Sequence, residues 1–246
     1  LRMERIFLVG LAVFAVGSLA AKHVFVSEHL RFYDAERYCQ IHYSDLSPLT
    51  NDLEEQVFRR SVRDDQSGWI GVYWENDIKK WMSVGGVVLE NQDWTESPGI
   101  WDRVYWTSHA WISQGGWTPS KFFCLNLIVV QEEKTWEEAL EHCRENHQDF
   151  TSLLSQTENI LAKNKIQNST ITQRVWVGLR FLGDMWMWAN GDPLEFQVWN
   201  QTADPDLKSP VRKRCGALTK QGEWENRDCE ERLHFICNLF LKWINI

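Results

Sequence analysis

Cysteine is the residue type with the clearest chemistry in this chain, and it occurs six times, at positions 39, 124, 143, 215, 229 and 237. An even count suits a disulfide-bonded exported protein, although sequence alone does not choose among the possible pairings. Catalytic arrangements are absent. There is no Gly-x-Ser-x-Gly elbow, no phosphate-binding Gly-Lys loop and no His-Glu-x-x-His pair. His142 and His147 stand one position beyond the i, i+4 spacing that lets two histidines share a metal on one helix face. Glu137 and Glu138 fall at a helix start, where the dipole accounts for them without catalysis. No catalytic residue is expected, the chain is read as a non-enzyme, and a secreted hydrolase lacks both nucleophile and metal triad. Asn168-Ser169-Thr170 and Asn200-Gln201-Thr202 are glycosylation acceptors in an exported chain.

The elements that must position such residues belong to an ordinary globular chain. Of 246 residues, 43% are hydrophobic and 24% charged, and the net charge of −8 offers no basic footprint for nucleic acid. Met3 reads as the initiator. Glu4 and Arg5, an apolar run from Ile6 to Val16, and Gly17-Ser18-Leu19-Ala20 together form a secretory signal over residues 1–20. That run is shorter than the roughly 20 apolar residues needed to span a bilayer. The expectation is a secreted, extracellular protein without a transmembrane anchor.

The chain repeats itself once. Cys39 answers to Cys143, Trp69 to Trp176, Trp81 to Trp188, Trp94 to Trp199, Trp117 to Trp224 and Cys124 to Cys237, all at nearly one offset. Two copies are too few for a solenoid, so two tandem domains are expected, 22–125 and 126–238, followed by a short tail, 239–246. Thr135-Trp136-Glu137-Glu138 is a capping box, and Trp136, Ala139, Leu140 and Cys143 recur at helical spacing behind it. Phe32, Ala35 and Cys39 repeat that register. A second cap lies at Asn51 to Glu54 and again at Ser155 to Glu158. Short Trp-, Val- and Gly-rich runs then read as strands, which makes the class α+β. Fifteen Trp residues need a place. Trp69, Trp81, Trp176, Trp186 and Trp188 are expected in the core. Trp101, Trp106 and Trp111 are candidates for an exposed aromatic surface.

The second copy resembles the C-type lectin-like domain: Cys143, Trp176-Val177-Gly178-Leu179, Asp204-Pro205-Asp206, Cys215, Trp224-Glu225-Asn226, Cys229 and Cys237 follow that family's pattern. The first copy keeps Cys39, Trp69-Ile70-Gly71-Val72 and Cys124. The resemblance implies two tandem domains, each with two helices, small antiparallel sheets and a long loop region. It also implies the bridges Cys39–Cys124, Cys143–Cys237 and Cys215–Cys229. Counting back from Trp117 places Ser108 where Cys215 sits, with the chain shorter where a Cys229 equivalent belongs, so the first copy is expected to lack the inner bridge.

By the same resemblance, Asp204, Pro205, Asp206, Glu225 and Asn226 would bind carbohydrate. Asp204, Asp206, Glu225 and Asn226 would be the ligands of a calcium ion, which takes six to eight hard oxygens. The sequence departs from that pattern. Lys213 stands where an acid is expected, and the amide-then-acid order after Trp224 is reversed. An ammonium there repels a cation. Glu96-Ser97-Pro98-Gly99 and Thr118-Pro119 offer no cage in the first copy. The implied function is extracellular carbohydrate recognition, with glycans or glycoproteins as partners. The alternative is calcium-independent binding of a protein ligand by the same fold.

Overall fold

A computed structural model describes residues 22–89, 99, 101–200 and 205–238, with only the backbone of Pro205 and Asp206. The expected signal (1–20), Asp204 and the tail (239–246) lie outside the described residues, as do Glu96, Ser97 and Pro98. The first half runs β1 (His23–Leu30), α1 (Phe32–His42), β2 (Asp45–Leu46), α2 (Asp52–Ser61), β3 (Gly68–Glu75), β4 (Lys80–Ser83), β5 (Asp102–Trp106), β6 (Trp111–Gly115) and β7 (Ser120–Leu125). The second half runs β8 (Leu127–Lys134), α3 (Trp136–Asn146), β9 (Asp149–Phe150), α4 (Gln156–Lys165), β10 (Arg174–Leu182), β11 (Met185–Trp188), a 3-10 turn (Pro205–Lys208), β12 (Cys215–Thr219), β13 (Trp224–Arg227) and β14 (Leu233–Asn238).

The helices begin where the caps place them. Asn51 and Ser155 accept from the backbone N–H groups of Glu54 and Glu158 at 2.8 and 3.1 Å, and Thr135 and Glu138 form a reciprocal capping box. The periodic residues Phe32, Ala35 and Cys39 are buried on α1; Trp136, Ala139 and Cys143 are buried on α3, with Leu140 half-buried beside them.

Each half carries one seven-stranded sheet. The order is β1-β7-β3-β5-β6, with β2 on β7 and β4 on β3; the second sheet repeats it as β8-β14-β10-β12-β13, with β9 on β14 and β11 on β10. The sheets are mixed where antiparallel ones were expected. Trp69 pairs Phe122, and Trp176 pairs Phe235, in parallel. These strands are joined by long crossings rather than by a tight turn, which frees them to run in the same direction. The glycine in each Trp-Ile/Val-Gly motif marks a close approach: the N–H groups of Gly71 and Gly178 donate to Ser47 and Thr151 at 2.8 and 2.9 Å. A Cβ on Gly178 would lie 2.9 Å from the Thr151 carbonyl oxygen.

The bridges Cys39–Cys124, Cys143–Cys237 and Cys215–Cys229 all form. Trp69, Trp81, Trp176 and Trp188 are buried, and Trp186 is half-buried. The aromatic-surface expectation needs correction. Trp106 is buried, because it faces inward from β5 onto Phe58 and Phe123, and Trp111 is half-buried. Among the described residues, the exposed indoles are Trp101 and Trp117, at 52% and 56%, their rings 5.8 Å apart.

Register also corrects one equivalence between the halves. Trp111 opens β6 opposite Trp106, as Trp224 opens β13 opposite Leu218, so Trp111 rather than Trp117 answers to Trp224. Tyr73 pairs Arg103 as Arg180 pairs Cys215. Phe32 N donates to Gly116 O as Trp136 N donates to Cys229 O, at 3.0 and 2.9 Å. Arg103 and Gly116 therefore hold the positions of the inner bridge. Ser108 does not, because it lies in the turn between β5 and β6, and nothing is missing between Trp111 and Cys124.

Candidate functional site

The chain between β11 and β12 is anchored by indoles. Trp186 on β11 donates from Nε1 to Leu207 O at 2.9 Å, fixing the turn that contains Pro205 and Asp206. Trp199 packs against Trp186 with centroids 4.6 Å apart and planes tilted by 50°, and meets Trp224 edge-on at 5.6 Å. The backbone adds a second tie: Trp224 N donates to Val198 O, and Asn200 N donates to Trp224 O, both at 2.8 Å. Trp224 is fully buried, its Nε1 donating to Asn159 on α4 at 2.8 Å. In the sequence, Trp199 stands out only as a landmark of the repeat and Trp224 as a landmark and a motif residue; a large aromatic at each end of a long irregular stretch is the signal for an anchor.

Side chains alternate along β13. Trp224 and Asn226 are buried, while Glu225 and Arg227 are half-buried on the other face. Glu225 lies 2.8 Å from Arg174 Nε on β10, an ion pair whose angle falls short of a hydrogen bond. Arg227 pairs with Glu231 at 3.0 Å. Lys213 is exposed. Of the four calcium ligands that the resemblance implies, the two whose side chains are described thus face opposite sides of a strand, and the acidic one is held by a guanidinium. Among the described residues, no group of three or more His, Cys, Asp or Glu is placed to hold a metal ion. This part of the donor set does not fit a calcium cage.

The inner bridge braces the far end of the stretch. Arg180 lies 4.9 Å above the Trp136 ring and directs Nη1 to Glu137 and to the sulfurs of Cys215 and Cys229. Closing so short a loop contributes about 3 kcal/mol on chain entropy. The two glycosylation acceptors differ. Asn168 is exposed, whereas Asn200 Nδ2, the atom that would carry the glycan, donates to Glu223 at 2.6 Å.

The family model described as the lectin C-type domain matches residues 132–239. Human lymphocyte antigen 75 is 26% identical over 135 residues, covering 54% of this chain and 8% of that protein. The human secretory phospholipase A2 receptor is 23% identical over 258 residues, covering 85% of this chain and 17% of the receptor. The chain thus spans less than a fifth of these relatives. Among solved structures, human lithostathine aligns with a TM-score of 0.41 at 24% identity, over 45% of this chain and 88% of that one. Residues 132–239, with their two bridges, mixed sheet and indole-anchored loop, are a member of the C-type lectin domain family.

Proposed function

We propose that this chain is an extracellular, non-enzymatic recognition module that binds glycans or glycoproteins through the β11–β12 loop region, without calcium held at Glu225. The engagement of Glu225 by Arg174 carries this reading. A cation at that carboxylate would have to displace a guanidinium already in contact. We read residues 22–125 as a second, degenerate copy of the fold, supported by the shared strand order. Three disulfides support an oxidising, extracellular location. No helix among the described residues is long and apolar enough to cross a membrane.

A glycan panel titrated with and without a chelator tests the reading. Binding that survives chelation is the expected result, and binding abolished by chelation overturns it. A second reading, contact with a protein ligand, is favoured by the exposed pair Trp101 and Trp117. Capture that persists after the ligand is deglycosylated supports that reading over the first.

The acceptors give a further prediction. Asn168 should carry the N-glycan in a eukaryotic secretory host. Asn168→Gln should then remove one glycan step in gel mobility, whereas Asn200→Gln should leave mobility unchanged.

A further inference from the structure

The two halves meet at the N-termini of α2 and α4, where buried polar contacts poor in cations sit beside an apolar core shared by both halves, including Leu53, Val57, Leu154 and Leu161. Glu54 and Glu158 occupy the same capping position on their helices, and both are fully buried. Glu54 accepts from Thr50 N and Thr50 Oγ1 within its own half, each at 2.5 Å, and from Ser155 Oγ of the other half, also at 2.5 Å. Glu158 accepts from Leu154 N at 2.7 Å and from Lys22 Nζ of the first half at 2.7 Å. Lys22 also donates to Ser152 O at 2.9 Å, and Asn51 Nδ2 reaches Leu154 O at 3.3 Å. The Glu54–Ser155, Lys22–Glu158, Lys22–Ser152 and Asn51–Leu154 contacts each cross between the halves.

The charges do not balance. Among the described residues, Lys22 is the single cation set against two buried carboxylates. Arg60 and Asp192, 3.5 Å apart at the rim, neutralise each other, with Arg60 mostly in water. Glu158 Oε1 is buried and has no hydrogen-bond partner. A proton taken up by Glu54 would cancel the uncompensated charge. A cleft of about 190 Å³, lined by Lys22, Arg60, Gln148, Asn190 and Asp192, opens beside the Lys22 end of the junction.

We propose that the Lys22–Glu158–Ser155–Glu54 junction is a proton-operated clasp that holds the two halves together most firmly in acidic solution and loosens as the pH rises to neutrality. Burial first, then the neighbouring Glu158 charge, pushes the Glu54 carboxyl up to about 7. A carboxyl raised in the folded state binds more protons folded than unfolded. Its stabilisation is complete below its unfolded value and is lost as pH rises through the folded one. His23, next to Lys22 and packed on Phe58, acts in the opposite sense. Burial, then the Lys22 charge, lowers its imidazole well below the usual value, so its contribution is lost as pH falls. Arg60 on α2 and Asp192, which accepts from Ser152, are further charged groups beside Lys22.

The test uses the full chain between about pH 5 and pH 8. The wild-type unfolding constant should rise at least about tenfold relative to Glu54→Gln across that range, because the amide does not titrate. His23→Gln, which removes the opposing titration, should steepen the wild-type trend. Hydrogen exchange on the wild type needs no variant that folds: the amides of Leu154 and Glu158 should lose protection with rising pH ahead of strand amides in either half. A wild-type to Glu54→Gln ratio that stays flat with pH overturns the clasp. Protection that fades uniformly over both halves also overturns it.

Discussion

Replacing Trp224 by alanine should cost about 3–5 kcal/mol of stability, the range for deleting a buried aromatic side chain. The indole is fully buried against Trp188, Phe196 and Trp199, with ring centroids 5.3–5.6 Å apart and near-perpendicular planes. Two losses add to the cavity. Asn159 Oδ1 loses the Nε1–H that it accepts, and the segment around Trp199 loses the ring on which it rests. Trp224→Phe keeps most of the packing but not the donor, so it should fall between the two, about 1–3 kcal/mol below wild type. Urea unfolding would read both as shifts of midpoint. The same variants bear on recognition: Trp224→Ala should weaken any ligand held by the β11–β12 region by more than its loss of folded population explains. Wild-type binding by the folded Trp224→Ala fraction would place the ligand elsewhere.

How much of this was legible in the sequence depended on the range over which each signal acts. Caps and helix faces are local, so Thr135, Ser155 and the Phe32–Ala35–Cys39 face read directly. Gly71 and Gly178 were visible as repeated motifs, but their reason, a backbone carbonyl approaching from another segment, is a tertiary fact. Trp101 read as exposed and is, but the burial of Trp106 and Trp111 was missed because strand alternation decides which indole faces inward, and the boundaries of β5 and β6 were not known. The equivalence of Trp117 with Trp224 failed for a related reason. Two tryptophans six positions apart both gave plausible offsets, and only hydrogen-bond register separated them. Of the candidate site, Glu225 and Asn226 could be named as oxygen donors, but the guanidinium of Arg174 comes from a strand far away in sequence. The pairing of Glu54 with Glu158 between the halves was likewise out of reach, since each read in isolation as an ordinary capping residue.

The corrected register leads to the second large effect, at Arg103 and Gly116. In the second half, Arg180 reaches over Trp136 and braces a disulfide. In the first half the cation has moved to the paired strand. Arg103, 3% exposed, lies 5.0–5.3 Å from the ring centroids of Phe32, Tyr33 and Tyr73. It donates to the Trp74 and Asp102 carbonyls and to the Tyr33 hydroxyl. A bare Cβ on Gly116 would lie 2.8 Å from Arg103 Cγ, so the arginine stem fills the volume that a second cysteine would need. Arg103→Ala should therefore cost about 2–4 kcal/mol, from a cavity, lost cation–π contacts and abandoned carbonyls. Gly116→Cys alone should also destabilise, by crowding Arg103. The double change Arg103→Cys with Gly116→Cys removes the obstruction and places two thiols in the arrangement of Cys215 and Cys229. It should form a fourth bridge and recover much of the Arg103→Ala loss, since closing a loop of this size contributes about 3 kcal/mol. Thiol titration after oxidative refolding should find no free cysteine, and reduction should lower stability. Two reactive thiols in the folded double variant would show that the first half does not carry the vacated bridge at these positions.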